Sequence, residues 1–342
     1  MNLTLTDPTY REKANTNFFE TFVLKFMNDK RDLPFIYLSL KISLIFIPFA
    51  LYLFLGNTVH WSLYIIYLGL NLIFFLGPYI LMLHNTCHRK LFKKEYAWLT
   101  KYIHWFLGMF FGQTPETYFH HHIAMHHTEN NLVEDLSSTM KFRRDSIRAF
   151  IRYLTTFYFF GVIHLSFYFS KKNRKLFAWK VVAGEVSYIL LIALLCYFNF
   201  TATLVVFILP LIFTRFAMMA GNWAQHAFID AQHPDDIYKN SITCINTIYN
   251  KQCFNDGYHI GHHLRPALHW TEMPTNFLQN IEKYRNNDVV VFTGLDYFQI
   301  WFLLMTKNYK YLSKKFVPLS DKLTTPEDIT TFLKSRTRTV IN

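Results

Sequence analysis

Residues 63–88 read LYIIYLGLNLIFFLGPYILMLHNTCH, an apolar run over Leu63–Leu83 followed at once by His84 and His88. The run meets the ~20 residues that a helix needs to cross a hydrocarbon layer of ~30 Å. On a helix, positions i and i+4 share a face, so both imidazoles project together from a helix continuing past the membrane edge. A span that ends in metal-ligating side chains sets the expectation for the whole chain: helices in lipid, with chemistry held just beyond their ends.

Working outward, Phe35–Leu55, Trp179–Phe198 and Phe200–Met219 are also long and apolar enough to span. The break in the first pair is short and contains Gly56, Asn57 and Thr58, and Asn199 alone separates the second, so two tight helical hairpins are predicted. Lys30, Arg31, Arg89, Lys90, Lys93 and Lys94 flank the first hairpin, while Lys171, Lys172, Arg174 and Lys175 precede the second. The positive-inside rule therefore puts the open ends of both hairpins in the cytoplasm. The first thirty residues are polar and lack the apolar core of a secretory signal, so both termini are expected on that side.

Composition agrees with a lipid environment. Of 342 residues, 51% are hydrophobic and 17% charged, against ~25% charged in an ordinary globular chain. No linker, repeat or low-complexity tract divides the sequence, so residues 1–342 are read as one membrane domain. The net charge of +12 suits anionic headgroups, and no nucleic-acid motif accompanies it; nucleic acid is not expected as a partner. Cys87, Cys196, Cys244 and Cys253 form no C-x-x-C pair, which argues against a zinc ribbon, a rubredoxin module or a thioredoxin-like site within the chain.

Tyr96–Phe111 and Phe150–Phe169 are ambiguous by hydropathy, and topology decides between crossing and lying flat. If one of them crossed, histidine clusters would fall on opposite faces of the membrane; if both crossed, the cluster between them would be stranded outside. Both are therefore expected at the interface, with Tyr297–Met305 as a third interfacial helix. The predicted fold is all-α: an integral membrane protein of four spans, interfacial helices at about 96–111 and 150–169, and a cytoplasmic cap.

Charges inside the second hairpin fit this plan. Glu185 lies fourteen residues before Asn199, and Arg215 sixteen after it, so antiparallel helices bring them to similar depth. An ionisable group at membrane depth is costly unless paired or near an end, and an ion pair near the cytoplasmic interface is predicted. Lys41 lies close enough to its own helix end to snorkel.

Three further clusters follow HNTCH: HIAMHH (His122, His126, His127), NWAQH (Asn222, His226) and HIGHH (His259, His262, His263). The i, i+4 spacing recurs in His122–His126 and Asn222–His226, and HIGHH places i, i+3 and i+4 on one face. His127, about 100° from His126, can reach a second ion. Nine imidazoles exceed the ligands of one ion and suit two, with iron, zinc, copper or nickel favoured over magnesium or calcium. His121 is an alternative to His122, whose spacing fits better.

In these clusters the chain resembles the membrane fatty acid desaturase and hydroxylase superfamily. Its members carry boxes of the form H-x(3,4)-H, H-x(2,3)-H-H and H/Q-x-x-H-H, plus a histidine in an N-x-x-x-H segment of the last span. HNTCH, HIAMHH, HIGHH and NWAQH match all four, over about Leu63–Trp270. The resemblance implies that two iron ions are held by His84, His88, His122, His126, His127, His226, His259, His262 and His263. It also implies a cytoplasmic di-iron centre capping an acyl-chain tunnel, and it suggests that Asn222 approaches iron through a water.

The implied reaction is O2-dependent insertion of a double bond into a fatty acyl chain. An unactivated C–H bond is beyond any side-chain base, so a reduced metal must activate dioxygen; loss of a second hydrogen gives an alkene, whereas return of oxygen gives an alcohol. The short first box and long second box look more like alkane hydroxylases and some bacterial acyl desaturases, yet the N-Y-x-E-H-Y-G segment of alkane hydroxylases is absent. FNDGYHIGHHLRPALHW resembles acyl-chain desaturases, and alkane or lipid hydroxylation remains the alternative. A membrane metal transporter is a third reading; transport sites tend to lie near the midplane, whereas here every cluster lies past a span.

Glu116, Glu129, Asp135, Asp230 and Asp256 lie near the clusters and are candidates to orient ligand imidazoles through their other nitrogen. His60, His104, His120, His164, His233 and His269 are assigned structural or interfacial roles. No H-P-G-G haem motif or cysteine-pair redox module is present, so electrons must come from a separate donor of ferredoxin, rubredoxin or cytochrome b5 type. It is expected to dock near Arg89–Lys94 or Lys141–Arg144.

Overall fold

Punctuation residues set the long helices of the computed structural model, which describes residues 3–12 and 14–340. Five helices are long and apolar enough to cross a membrane: α1 (Lys30–Leu55), α2 (Trp61–His88), α3 (Ile147–Lys171), α4 (Lys175–Phe198) and α5 (Phe200–Gln225). Pro34 sits in the first turn of the α-helical part of α1, where its missing N–H costs nothing. The His60 side chain accepts from Ser62 N at the start of α2. Asn199 alone separates α4 from α5; its backbone is extended and its side chain caps α5 by accepting from Ala202 N at 3.0 Å.

Four of these helices contain the expected spans, and each runs further at one or both ends. The fifth, α3, contains the Phe150–Phe169 stretch read as interfacial. Its mean hydropathy is 1.2, against 2.0 to 2.1 for the others. Within the Tyr96–Phe111 stretch, helix is continuous from residue 99 to residue 109, but it is not uniformly α. The stretch comprises a 3-10 turn ending at Tyr96, an α-turn at Leu99–Lys101 and a π-helical stretch at Tyr102–Leu107. The fold is not purely α either, because Thr243–Ile245 (β1) and Val291–Thr293 (β2) pair in parallel, with Thr243 opposite Val291. Each strand is only three residues long, too short for the sequence pattern to announce.

Chain contacts divide the protein into two compact units, each built from separated segments. One comprises Arg11–Ile123 and Val162–Phe216 and is here called the helical unit. Within it, buried polar side chains satisfy the backbone of the 96–111 stretch. Asn71 Nδ2 donates to Phe110 O at 2.7 Å, Tyr79 Oη to Ile103 O at 2.8 Å and Tyr188 Oη to Met109 O at 2.9 Å. Irregular backbone at membrane depth is tolerated only where protein supplies such partners. Two glycines allow the close packing: a Cβ on Gly184 would lie 1.8 Å from Pro115 O, and one on Gly112, at φ +66°, 2.2 Å from Leu211 Cα. The expected ion pair is present, with Arg215 Nη2 at 2.6 and 2.8 Å from the two Glu185 oxygens.

The other unit comprises residues 1–10, Ala124–Gly161 and Ala217–Asn342, and is here called the loop unit. Its core is laid around β1 and β2 and includes Phe228, Ile242, Phe292, Ile300, Leu304 and Leu312. Helix α6 (His259–Leu264) carries the last histidine cluster and α7 (Tyr297–Met305) closes the core. Tyr297, Ile300, Leu303 and Leu304 of α7 are buried, while Phe298 and Phe302 are exposed. Arg144 is fully buried. Its guanidinium donates to five carbonyls, those of Ala227, Thr139, Phe142, Arg336 and Arg338. Burial lowers its pKa to about 9, so it stays charged at neutral pH. It fastens the segment after His226 to the carboxy-terminal segment.

Candidate metal centre

In the helical unit, helix geometry places the histidines. His84 and His88 lie on the last turns of α2 with ring centroids 5.2 Å apart, one i, i+4 face as predicted. His122 joins them, 4.6 Å from His84 and 5.2 Å from His88 by ring centroid. The Nε2 atoms of His88 and His122 are 3.2 Å apart. His122 stands with His84 and His88 among the residues that could hold a metal ion.

The His122–His126 pairing is a correction. His120–His126 is π-helical, and a π-turn bonds i to i+5, so residues four apart no longer stack as they do on an α-helix. His122 falls with His84 and His88, whereas His126 falls with His226, His259 and His263.

That second group lies wholly in the loop unit and is buried: His226 is 0% exposed, His126 and His259 2% each, and His263 7%. Their ligand nitrogens all lie within 4.8 Å of one another. His259 Nε2 is 3.1 Å from His226 Nε2 and 3.0 Å from His263 Nε2. His127 and His262 stand beside the group, with Nε2 atoms 2.9 Å apart and His127 stacked on His263 at 4.7 Å.

The opposite nitrogens of three of the four rings fix the protonation pattern. His126 Nδ1 donates to Asp135 Oδ2 at 2.7 Å, His226 Nδ1 to the Asn240 carbonyl at 2.8 Å and His263 Nδ1 to Asn130 Oδ1 at 3.2 Å. A carboxylate and a carbonyl only accept, so the proton sits on Nδ1 and each Nε2 turns a lone pair toward its neighbours. Burial, then the nearby His126, holds His226 at a pKa of about 3. Burial, then His259, holds His263 far below the usual imidazole range. Neutral imidazoles are the form that binds metal. Four imidazoles whose ligand nitrogens lie within 4.8 Å of one another are a donor set that fits a borderline transition-metal ion.

Among the candidate carboxylates, Asp135 is the one bonded to a cluster histidine in this group. Its Oδ2 also accepts from Asn131 N at 2.9 Å, and its Oδ1 accepts from Ser137 N and Oγ at 2.8 and 2.6 Å. Burial opposes its charge, but His126 and the Ser137 donors outweigh burial and hold it well below the ordinary carboxylate range. Glu116 pairs instead with Lys180 at 3.3 Å, Asp230 with Arg336 at 3.3 Å, and Asp256 accepts from Tyr249 Oη at 2.6 Å. Glu129 ends the short helix His127–Glu129. Asn222 commits its amide nitrogen to Ser137 O at 2.9 Å and Tyr153 Oη at 2.8 Å.

Asn130, Ser137, Tyr153 and the Asn240 carbonyl escaped the sequence reading. Only the Asn130–Asn131 pair carried a signal, since consecutive asparagines favour left-handed turns. The basic docking stretches also change. Arg89 is bound to Asp29 at 3.0 Å and Asp32 at 3.4 Å, and Arg144 is buried. Lys90, Lys93, Lys94 and Lys141 are exposed.

The family model described as fatty acid desaturase matches residues 59–294, a segment that contains every histidine of both groups. No curated protein and no solved structure gives a match.

Proposed function

The chain belongs to the fatty acid desaturase family, and from that premise we propose that it is an O2-dependent desaturase of fatty acyl chains. It is an integral membrane protein by its five apolar helices and its family, and its reaction is of the desaturase or hydroxylase type. We infer that the whole chain, 1–342, works as one such enzyme with two iron ions. His126, His226, His259 and His263 hold one ion, and His84, His88 and His122 contribute to the other. His127 and His262 stay among the candidate ligands that the family resemblance implies. The observation that carries this reading is the convergence of four buried imidazoles, with ligand nitrogens within 4.8 Å of one another.

When bound, the irons supply the dioxygen-dependent oxidation that removes hydrogen from an unactivated methylene. The chain's own work is to hold and orient. Asp135, Asn240 and Asn130 fix the Nδ1 protons and so aim Nε2. Burial keeps His226 and His263 neutral. We place Asn222 in support of the site, through Ser137 and Tyr153, with an approach to iron through a water kept as part of the proposal.

The grouping of His126 with His226 supports four spans with the histidines and both termini in the cytoplasm. Three candidate spans, α3, α4 and α5, separate these two residues in sequence. Residues that share a site face one side of the membrane, so an even number of the three must cross. The least hydropathic, α3, is assigned to the interface. The electron donor, of ferredoxin, rubredoxin or cytochrome b5 type, docks on the exposed lysines near Lys90–Lys94 or at Lys141. Steering of this kind makes turnover at limiting donor fall as ionic strength rises, and a salt-independent rate would remove it.

The test is expression in a host with a simple lipid profile, with mass spectrometry of fatty acids and hydrocarbons against a His262→Ala control. New unsaturated chains absent from the control are expected. Hydroxylated chains instead would establish the hydroxylase reading, since the short first box and long second box occur in alkane hydroxylases as well as in some bacterial acyl desaturases. Neither product, with an iron-loaded protein and each donor class supplied, would reject both.

A further inference from the structure

The loop leaving the HIAMHH segment turns on two consecutive left-handed residues, Asn130 at φ 49° and Asn131 at φ 61°. Asparagine is one of the few residues besides glycine that adopt this backbone readily, so the turn is held without strain. Asn130 makes three contacts that run toward the four-histidine group. Its N–H donates to the His126 carbonyl at 2.7 Å, and its Oδ1 accepts from His263 Nδ1 at 3.2 Å. Its carbonyl accepts from Asn240 Nδ2 at 3.2 Å, and the Asn240 carbonyl in turn accepts from His226 Nδ1 at 2.8 Å. One residue thus joins three histidines that arrive from separate parts of the sequence.

We propose that Asn130 is a positioning residue that sets the orientation of His263 directly and of His226 through Asn240. This rests on the reading that the four-histidine group holds a metal ion. The side-chain oxygen keeps the proton on Nδ1 of His263 and leaves the Nε2 lone pair for the metal. The left-handed turn lets the same residue present its carbonyl to Asn240. A carboxylate does the equivalent work for His126 through Asp135, so Asn130 is the neutral counterpart of Asp135 in the same loop.

The experiment uses the full chain purified in detergent, in a His88→Ala background to isolate the four-histidine group, and titrates it with cobalt(II) while following visible absorption. Asn130→Gly keeps the left-handed backbone at little cost but removes the amide. It is expected to weaken cobalt binding about 10- to 100-fold and to shift the ligand-field bands, with the melting temperature of the metal-free protein unchanged. Asn130→Asp, which restores an acceptor, is expected to bring both binding and spectrum back. Wild-type binding and spectrum in Asn130→Gly would overturn the assignment. So would a metal-free protein that melts lower by as much as binding falls and is not rescued by Asp. A parent protein that takes up no cobalt would overturn the metal reading and this assignment with it.

Discussion

The helical unit and the loop unit each carry histidines and each hold an arginine away from full exposure, by opposite means. In the helical unit, His84 and His88 take their places from the pitch of α2, and Arg215 meets Glu185 because two antiparallel helices bring them level. In the loop unit, His126, His226 and the α6 pair His259 and His263 come from three segments, and a carboxylate, a carbonyl and a side-chain amide hold His126, His226 and His263. There Arg144 faces five backbone carbonyls. Regular secondary structure positions groups by period alone. Irregular structure has to fasten each one, and the fastenings are where it is vulnerable.

The largest effect that sharpens this comparison is at the metal ligands. His226→Ala is expected to abolish product formation to the level of the empty host and to remove one of two irons per chain. A variant that keeps both irons and full product would sink the ligand assignment of the loop unit. His88→Ala should lose the other iron while leaving cobalt binding by the four-histidine group in place, and loss of both ions in either variant would show that the two groups are not separate.

Next come the two arginines. Arg144→Met leaves several buried carbonyls without a donor, at about 1–3 kcal/mol for each one left unsatisfied, so little folded protein should accumulate. A normal melting temperature would mean that the carbonyls find other donors. Glu185→Gln should destabilise the helical unit by about 3 kcal/mol, because an arginine is left unpaired where it is partly buried. Adding Arg215→Gln should restore most of the loss. If the double variant melts as low as the single, the pair contributes nothing through its charges.

The smallest effect is a pH dependence confined to the metal-free loop unit. The folded-state pKa of His226, about 3, and that of His263 both lie below the ordinary value of 6.5, so the unfolded chain takes up these protons first. The stability from keeping them neutral is full above pH 6.5 and is lost as pH falls from 6.5 toward 3, by up to about 1.4 kcal/mol per pH unit for each ring. Thermal melts of metal-free protein between pH 8 and 5 check this, and a flat curve would show that the rings already share a proton or are not buried in solution.

What could be read from the chain follows from repetition. Spans, the break at Asn199, the His84–His88 face and the Glu185–Arg215 pair each depend on helical period or on counting from a turn, and these survive in the structure. The ligand types were also legible, since nine histidines past apolar segments point to metal chemistry whatever their exact arrangement. The π-turn at His120–His126 was not, because adding a residue to a turn depends on what the turn packs against, and it is this turn that sends His122 and His126 to different groups. Asp135 could not be told from four other acidic candidates, because its role depends on a nine-residue loop returning to within 2.7 Å of His126. The sequence by itself determined the long apolar helices, the supply of clustered imidazoles and the family. Tertiary structure alone decided which histidines stand together and what aims each one, because carbonyl acceptors and left-handed turns recruit backbone atoms that every residue carries.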